Sequence, residues 1–308
     1  MRRARPSDEG RLIQLVYYAY VAGSALARAI PERWAYALAR SIGALAARRS
    51  KKRPVVERNL GRISGLTPGT PEMDALVVEA FRSYARYWLE TFRLVREDRA
   101  FFLERFRSAT QHHIDEMLAR GKGAIVVVGH LGNWDAAGAW VGARGNRLVT
   151  VAEVLRPRRM FEFFADHRAR LGMTIYPAER GATDRLAAEV EAGAVIAILG
   201  DRDLKGKGPT VRFFGEETTF PAGPASVALK TGVPLLVAGV YGVQREDGSN
   251  GWEAVISEPI ELPLQDDPST FVQVLTQEVA SKLEVMVARR PEEWHVFQPF
   301  WTADRVTS

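Results

Sequence analysis

Residues 124–140 read AIVVVGHLGNWDAAGAW. The run Ala124–Val128 is apolar and valine-rich, too short for a helix that closes on itself, and suited to a strand buried on both faces as parallel sheets require. Gly129 ends it, Asn133 is a residue type that caps helices, and Trp134–Ala143 carries Asp135 in what would be a first helical turn. A strand, a turn and a helix in that order make half of a βαβ unit. His130 then falls just past the C-terminal end of the strand, the edge at which open α/β sheets bind ligands. Gly129 and Gly132 keep the loop free of side-chain bulk, so that a substrate can approach.

Working outward, the same alternation continues. Strands are predicted at Arg147–Ala152, Met173–Tyr176, Ala194–Leu199 and Pro234–Val240, with helices at Arg159–Leu171, Thr183–Ala192 and Ala222–Thr231. Gly145, Gly172, Gly193 and Gly232 fall just past helix ends, where a left-handed cap favours glycine. Asn250-Gly251 reads as a hairpin turn, and Phe271–Arg290, between Pro268 and Pro291, as a closing helix. Upstream, Glu32–Arg49 and Pro71–Arg107 have helical periodicity, broken around Pro54, Pro68 and Pro71. Tyr84, Tyr87, Trp88 and Phe92 recur at helical spacing and read first as an aromatic core stripe. The expected fold class is α/β: a mixed, largely parallel central sheet flanked by helices, with a helical N-terminal region, and residues 1–308 forming one domain.

The 308 residues include 46% hydrophobic and 26% charged side chains, an ordinary folded composition. The absence of cysteine excludes disulfides, thiolate metal sites and a thiol nucleophile. The net charge of +5 is concentrated in residues 1–60, which hold 13 Lys/Arg against 4 Asp/Glu. Within them Leu12–Ala27 carries no charge for 16 residues, short of the roughly 20 that a spanning helix needs. With Arg2, Arg3, Arg5 and Arg11 before it and Arg48, Arg49, Lys51, Lys52 and Arg53 after its neighbour, the segment suits a helix lying on an anionic membrane surface. A buried core helix beside a solvated basic loop is the competing account. Pro31 and an Ala/Arg-rich helix follow where a secretory signal would show a cleavage pattern, and no nucleic-acid reader motif accompanies the charge.

A histidine and an aspartate at a strand end suit proton removal from an alcohol. A neutral imidazole accepts the hydroxyl proton as the oxygen attacks a carbonyl, and a carboxylate on the other ring nitrogen fixes the tautomer. His130 and Asp135 are the residues placed to do this, although Asp135 also fits a plain helix-N-terminal charge. No GxSxG or HExxH occurs, and His112-His113 lacks ligand-like spacing and reads as solvated. With no covalent nucleophile evident and no metal required, direct transfer from an activated donor is the economical route.

The ordered set GHLGNWD (129–135), VAEVLRP (151–157), DHRARLG (166–172), GDRDLKGKG (200–208), FFGEETTFPAGPA (213–225) and WHVFQPFW (294–301) resembles the lysophospholipid-type acyltransferase superfamily in its lipid A acyltransferase-like branch, closest to phosphatidylinositol mannoside acyltransferases. The resemblance spans nearly the whole chain. It implies transfer of a long-chain acyl group from acyl-CoA, or from an acyl carrier protein, to a sugar hydroxyl of a phosphatidylinositol mannoside-type glycolipid, by a peripheral protein at the cytoplasmic face of the membrane and without a cofactor. It further implies His130 as general base with Asp135 as its partner, Asp201 in the place of a family glutamate as an additional carboxylate, and Glu153, Arg168 and Arg202 around the substrates. Charge and position add Lys207, and less specifically Lys230, as contacts for donor phosphates. The alternatives are a late acyltransferase of the lipid A/Kdo-lipid type, a silent lipid-binding module on the same groove, and a thioesterase that uses water in place of the sugar.

Overall fold

The computed structural model describes residues 11–154, 158–203 and 205–305. Arg2, Arg3 and Arg5, the last three residues of the 151–157 motif and Leu204 lie outside the described residues. The chain runs through α1 (Arg11–Ala29), α2 (Glu32–Arg49), α3 (Arg53–Ser64), α4 (Pro71–Arg93), α5 (Arg99–Arg105), β1 (Phe106–Arg107) and α6 (His112–Ala119). It continues with β2 (Ala124–Val128), α7 (Trp134–Ala143), β3 (Leu148–Ala152), α8 (Arg158–Arg170), β4 (Met173–Pro177), α9 (Ala182–Glu191) and β5 (Val195–Leu199). A small antiparallel hairpin, β6 (Thr210–Phe213) with β7 (Glu216–Thr219), precedes α10 (Gly223–Thr231), β8 (Leu235–Gln244), β9 (Asn250–Ile256), α11 (Pro268–Arg289) and α12 (Thr302–Arg305).

Among the described residues the main sheet has seven strands in the order β1-β9-β8-β2-β5-β3-β4, parallel throughout except between β8 and β9. β2 lies between β5 and β8, with Val127 beside both Ile198 and Val237, and every residue of β2 is buried. That double burial is why the run at 124–128 shows no alternation. From β2 the chain moves outward through α7 to β3 and through α8 to β4, then turns back through α9 to β5 and through α10 to β8. Right-handed crossovers therefore put α7 and α8 on one face of the sheet and α9 and α10 on the other, and α9, α10 and α11 do pack side by side. The neighbouring strands β2 and β5 send their chains to opposite faces. A crevice opens between the two departing loops, and it is at this switch point that such sheets bind ligands.

The N-terminal helices attach through α4. Ala35, Ala39, Gly43 and Ala47 form the buried stripe of α2, and a Cβ on Gly43 would stand 2.6 Å from Arg82 Cα, so small residues let the two helices touch backbone to backbone. Three local expectations change. The hairpin turn after β8 is at 245–249, with Gly248 at φ 78°, and Asn250 already pairs with Gln244 inside the ladder. Arg53–Ser64 is a helix with proline in its first turn, where the missing N–H costs nothing, so Pro54 begins an element. The helical stretch from Pro71 ends at Arg93, and Phe106–Arg107 turns into an edge strand alongside Trp252 and Glu253.

Candidate active site

Gly200 donates its N–H to Val128 O at 2.9 Å, so the loops leaving β2 and β5 start in register, and His130 and Asp201 face each other across the crevice. Asp201 Oδ1 lies 2.6 Å from His130 Nδ1. Its Oδ2 accepts the His130 backbone N–H at 2.8 Å and the Trp294 indole N–H at 2.9 Å. Asp201 is 1% exposed. Burial alone would raise its pKa, yet the His130 ring, the two His130 hydrogen bonds and the Trp294 donor together hold it below the usual carboxylate value. A carboxylate on Nδ1 keeps the proton of a neutral ring on that nitrogen and leaves Nε2 as the basic one.

Asp135 does not serve as the partner of the His130 ring. It lies in the first turn of α7, 1% exposed, and its Oδ1 accepts from Arg168 Nε of α8 at 2.6 Å, with the Tyr87 hydroxyl 3.4 Å from Oδ2. The physical reason is the reversal between them. Gly132 has φ 61°, and a Cβ there would stand 2.1 Å from Val240 O, so the chain folds tightly against β8 before the helix starts. That turn sends the imidazole toward β5 and the carboxylate toward α8. Gly132 thus serves close backbone packing, where the sequence suggested open access for a ligand. Burial opposes charge on Arg168, but Asp135 and Tyr87 outweigh it and raise its pKa, so the guanidinium stays charged in the wall.

A cavity of about 620 Å³ joins these groups. Its polar lining includes His130, Asp135, Glu153, Arg168, Arg202 and His295, while Ile114, Val126, Trp140, Val141, Met173 and Ile256 are among the residues that line it with hydrocarbon. Glu153 is exposed just past β3, and Arg202 donates to Gln298 Oε1 at 3.0 Å. Lys207 and Lys230 are not brought here: both border a separate open depression with Thr210, Ser226 and Ser269, and Lys230 Nζ is 2.6 Å from Asp184 Oδ1. The aromatic stripe is only partly core, because Tyr84, Tyr87 and Trp88 of α4 face the cavity.

The C-terminal segment clamps the loop that carries His130. His295 N donates to His130 O at 2.7 Å, Gly132 N donates to Glu293 O at 2.9 Å, and Leu131 bridges to Trp294. The His295 ring is buried with Nε2 2.9 Å from Ser83 Oγ, and burial, then Arg86 and His130, hold its pKa well below 6.5. Sequence reasoning singled out WHVFQPFW as a motif but gave Trp294 and His295 no task, since nothing local says that residue 294 meets residue 201. Glu293 and Glu90 were also missed, since each sits among other charged residues, Glu293 after Arg289, Arg290 and Glu292 and Glu90 between Arg86 and Arg93, and reads as an ordinary surface charge.

The profile of the bacterial lipid A biosynthesis acyltransferase family matches residues 8–303. A phosphatidylinositol mannoside acyltransferase of Mycolicibacterium smegmatis (strain ATCC 700084 / mc(2)155) is 34% identical over 294 residues, covering 94% of this chain and 93% of its own. A protein of the same name from Mycobacterium tuberculosis (strain CDC 1551 / Oshkosh) is 35% identical over 293 residues, covering 93% and 89%, and so is that of strain ATCC 25618 / H37Rv.

Proposed function

The chain belongs to the bacterial lipid A biosynthesis acyltransferase family, and from that membership we propose that it moves a long acyl chain from a thioester, acyl-CoA or acyl carrier protein, to a sugar hydroxyl of a phosphatidylinositol mannoside-type glycolipid. The observation that carries the reading is the His130–Asp201 contact of 2.6 Å at the wall of a cavity whose remaining surface is largely hydrocarbon. A polar base beside an apolar hollow fits a reaction in which a hydroxyl meets a fatty acyl group.

In this mechanism His130 Nε2 takes the proton of the sugar hydroxyl while its oxygen bonds to the thioester carbonyl carbon. Asp201 steadies the resulting imidazolium through Nδ1. The tetrahedral intermediate collapses, the C–S bond breaks, and the departing thiolate recovers the proton from the imidazolium. Asp201 is one methylene shorter than the glutamate its place in the motif implies, and the 2.6 Å contact supports the same task for it. The Asp135–Arg168 pair, with Glu153 and Arg202, lines the cavity wall as polar contacts for acceptor hydroxyls and donor.

A glycolipid acceptor requires access to a membrane. Among the described residues no helix is long and apolar enough to cross one. Exposed apolar side chains instead line one side of α2, at Trp34, Leu38, Ile42 and Leu45, with Tyr18, Val21 and Leu26 exposed on α1 and Arg48, Arg49, Lys51 and Lys52 beside them. This pattern supports peripheral docking of residues 1–60 on an anionic, cytoplasm-facing leaflet.

The test is an assay of purified protein with palmitoyl-CoA and a phosphatidylinositol mannoside acceptor, followed by mass spectrometry of the lipid product. Acceptor-dependent transfer is expected, lost in His130→Ala and reduced about a hundredfold or more in Asp201→Asn. Hydrolysis of the thioester that is indifferent to acceptor would make the protein a thioesterase; lipid binding with no turnover would make it a binding module.

A further inference from the structure

Glu90 is the most unexpected charge in the molecule. It sits in α4, 3% exposed, and does not line the cavity. Its Oε2 accepts from Asn133 Nδ2 at 2.8 Å and from the Trp252 indole N–H at 2.9 Å. Both partners can only donate, so that oxygen carries no proton. Oε1 accepts the Tyr36 hydroxyl at 3.0 Å and lies 3.7 Å from Arg86 Nε. One carboxylate therefore ties α2, α4 and β9 to the loop that carries His130.

Asn133 is the hinge of that tie. Its Oδ1 accepts the Ala136 N–H at 3.0 Å as the N-cap of α7, and its Nδ2 goes to Glu90. The amide cannot flip without losing both bonds. The loop from His130 to Asn133 is then held at four points: Asp201 on the His130 N–H, His295 on its carbonyl, Glu293 on Gly132, and Glu90 on Asn133. Three of these come from the sheet side and the C-terminal segment. Of the four, Glu90 is the one that ties the loop directly to the N-terminal helices, whereas Ser83 and Arg86 of α4 reach it only through His295 and Glu293.

Burying a carboxylate is unfavourable, and an apolar residue in the middle of a helix would pack more cheaply unless an acceptor is needed at that spot. We infer that Glu90 is a positioning residue of the transferase, fixing the His130–Asn133 loop through Asn133 so that the His130 ring stays aligned between Asp201 and the reacting hydroxyl. This rests on the reading of His130 as the base, and one arm of the test is independent of that reading.

Three variants separate positioning from bulk stability. Glu90→Leu removes both oxygens. Glu90→Gln keeps an oxygen for Asn133 and Trp252 and turns its NH2 toward the Tyr36 hydroxyl, which then accepts instead of donating, while the charge that attracts Arg86 is lost. Tyr36→Phe removes the α2 donor and leaves Oε2 untouched. The expected result is a ten- to hundredfold fall of kcat in Glu90→Leu with the KM for palmitoyl-CoA within about twofold, most of it restored in Glu90→Gln, and kcat preserved in Tyr36→Phe. Combining Glu90→Leu with Asn133→Ala should be no worse than the more damaging single change. Independently of turnover, backbone amide exchange across 130–136 should accelerate in Glu90→Leu and stay near the wild-type rate in Glu90→Gln. Equal losses in Leu and Gln variants, or unchanged exchange in Glu90→Leu, would overturn the assignment. If His130→Ala kept full activity, the base would be lost as a premise, and the exchange data alone would still decide whether Glu90 holds the loop.

Discussion

His295 and Asp201 show how single residues in this site take their chemistry from their surroundings. Asp201 is buried, yet three N–H donors keep it ionised, as the role proposed for it, steadying an imidazolium, requires. His295, also buried, is held neutral, because desolvation and the nearby charge of Arg86 both oppose its protonation. That has a measurable consequence. The pKa of His295 is depressed in the folded protein relative to 6.5, so below that value the unfolded chain binds a proton that the native state refuses, and stability falls with falling pH. His167, depressed chiefly by burial, acts in the same direction. Replacing His295 with Gln should flatten the decline of Tm between about pH 6.5 and 5. An identical decline in the variant would show that other groups carry it.

At the scale of the element, the turn from β2 to α7 decides what the site can be. The strand delivers His130 to the sheet edge, and Gly132 reverses the chain against Val240 so that α7 starts on the side of α8. Gly132→Ala would impose a left-handed conformation on a side chain whose Cβ meets a carbonyl oxygen at 2.1 Å. Gly129→Ala brings only ordinary contacts, Leu283 Cδ2 at 3.4 Å and Asp201 Oδ2 at 3.5 Å. Gly132→Ala should therefore destabilise the protein by at least about 2 kcal/mol, with Gly129→Ala costing well under half of that, as read from denaturant melts. Equal effects would mean that the turn is less constrained than its geometry shows. The same turn settles the fate of Asp135: one reversal of chain separates it from His130 and gives it to Arg168.

On the scale of the whole molecule, the helical N-terminus reaches the site through α4, because α2 packs on α4, and α4 supplies Tyr84, Tyr87 and Trp88 to the cavity. The apolar side of α2 faces away from that contact, at Trp34, Leu38, Ile42 and Leu45, opposite Ala35, Ala39, Gly43 and Ala47. A bilayer under α2, as proposed above, would thus lie against a helix packed on the one that lines the cavity. Vesicles containing phosphatidylglycerol should retain the protein in co-sedimentation, less so at high salt, and Leu38→Glu with Ile42→Glu should weaken retention about tenfold or more while the melting temperature changes little. Retention unaffected by these changes would remove α2 from the proposed docking surface.

Most of the elements around the site, and the residue types available there for chemistry, are legible in the sequence, while α3, β1 and the β6–β7 hairpin are not. The unbroken apolar run of β2 marked a strand buried on both faces, glycines at helix ends marked their stops, and the ordered motifs identified the family, because these signals are local or additive along the chain. His130 was legible for the same reason: a histidine after an apolar strand stands out within a dozen residues. Its partner was not. Asp135 lay nearest in sequence, whereas Asp201 lies nearest in space, since β5, although 71 residues downstream of β2 at the register pair Val128–Leu199, inserts directly beside it. The clamp from Trp294 and His295, the tie through Glu90, and the removal of Lys207 and Lys230 to another surface all depend on strand order and helix packing. Spacing along a chain cannot encode them, because hydrogen bonds form between whatever the completed fold brings within 3 Å.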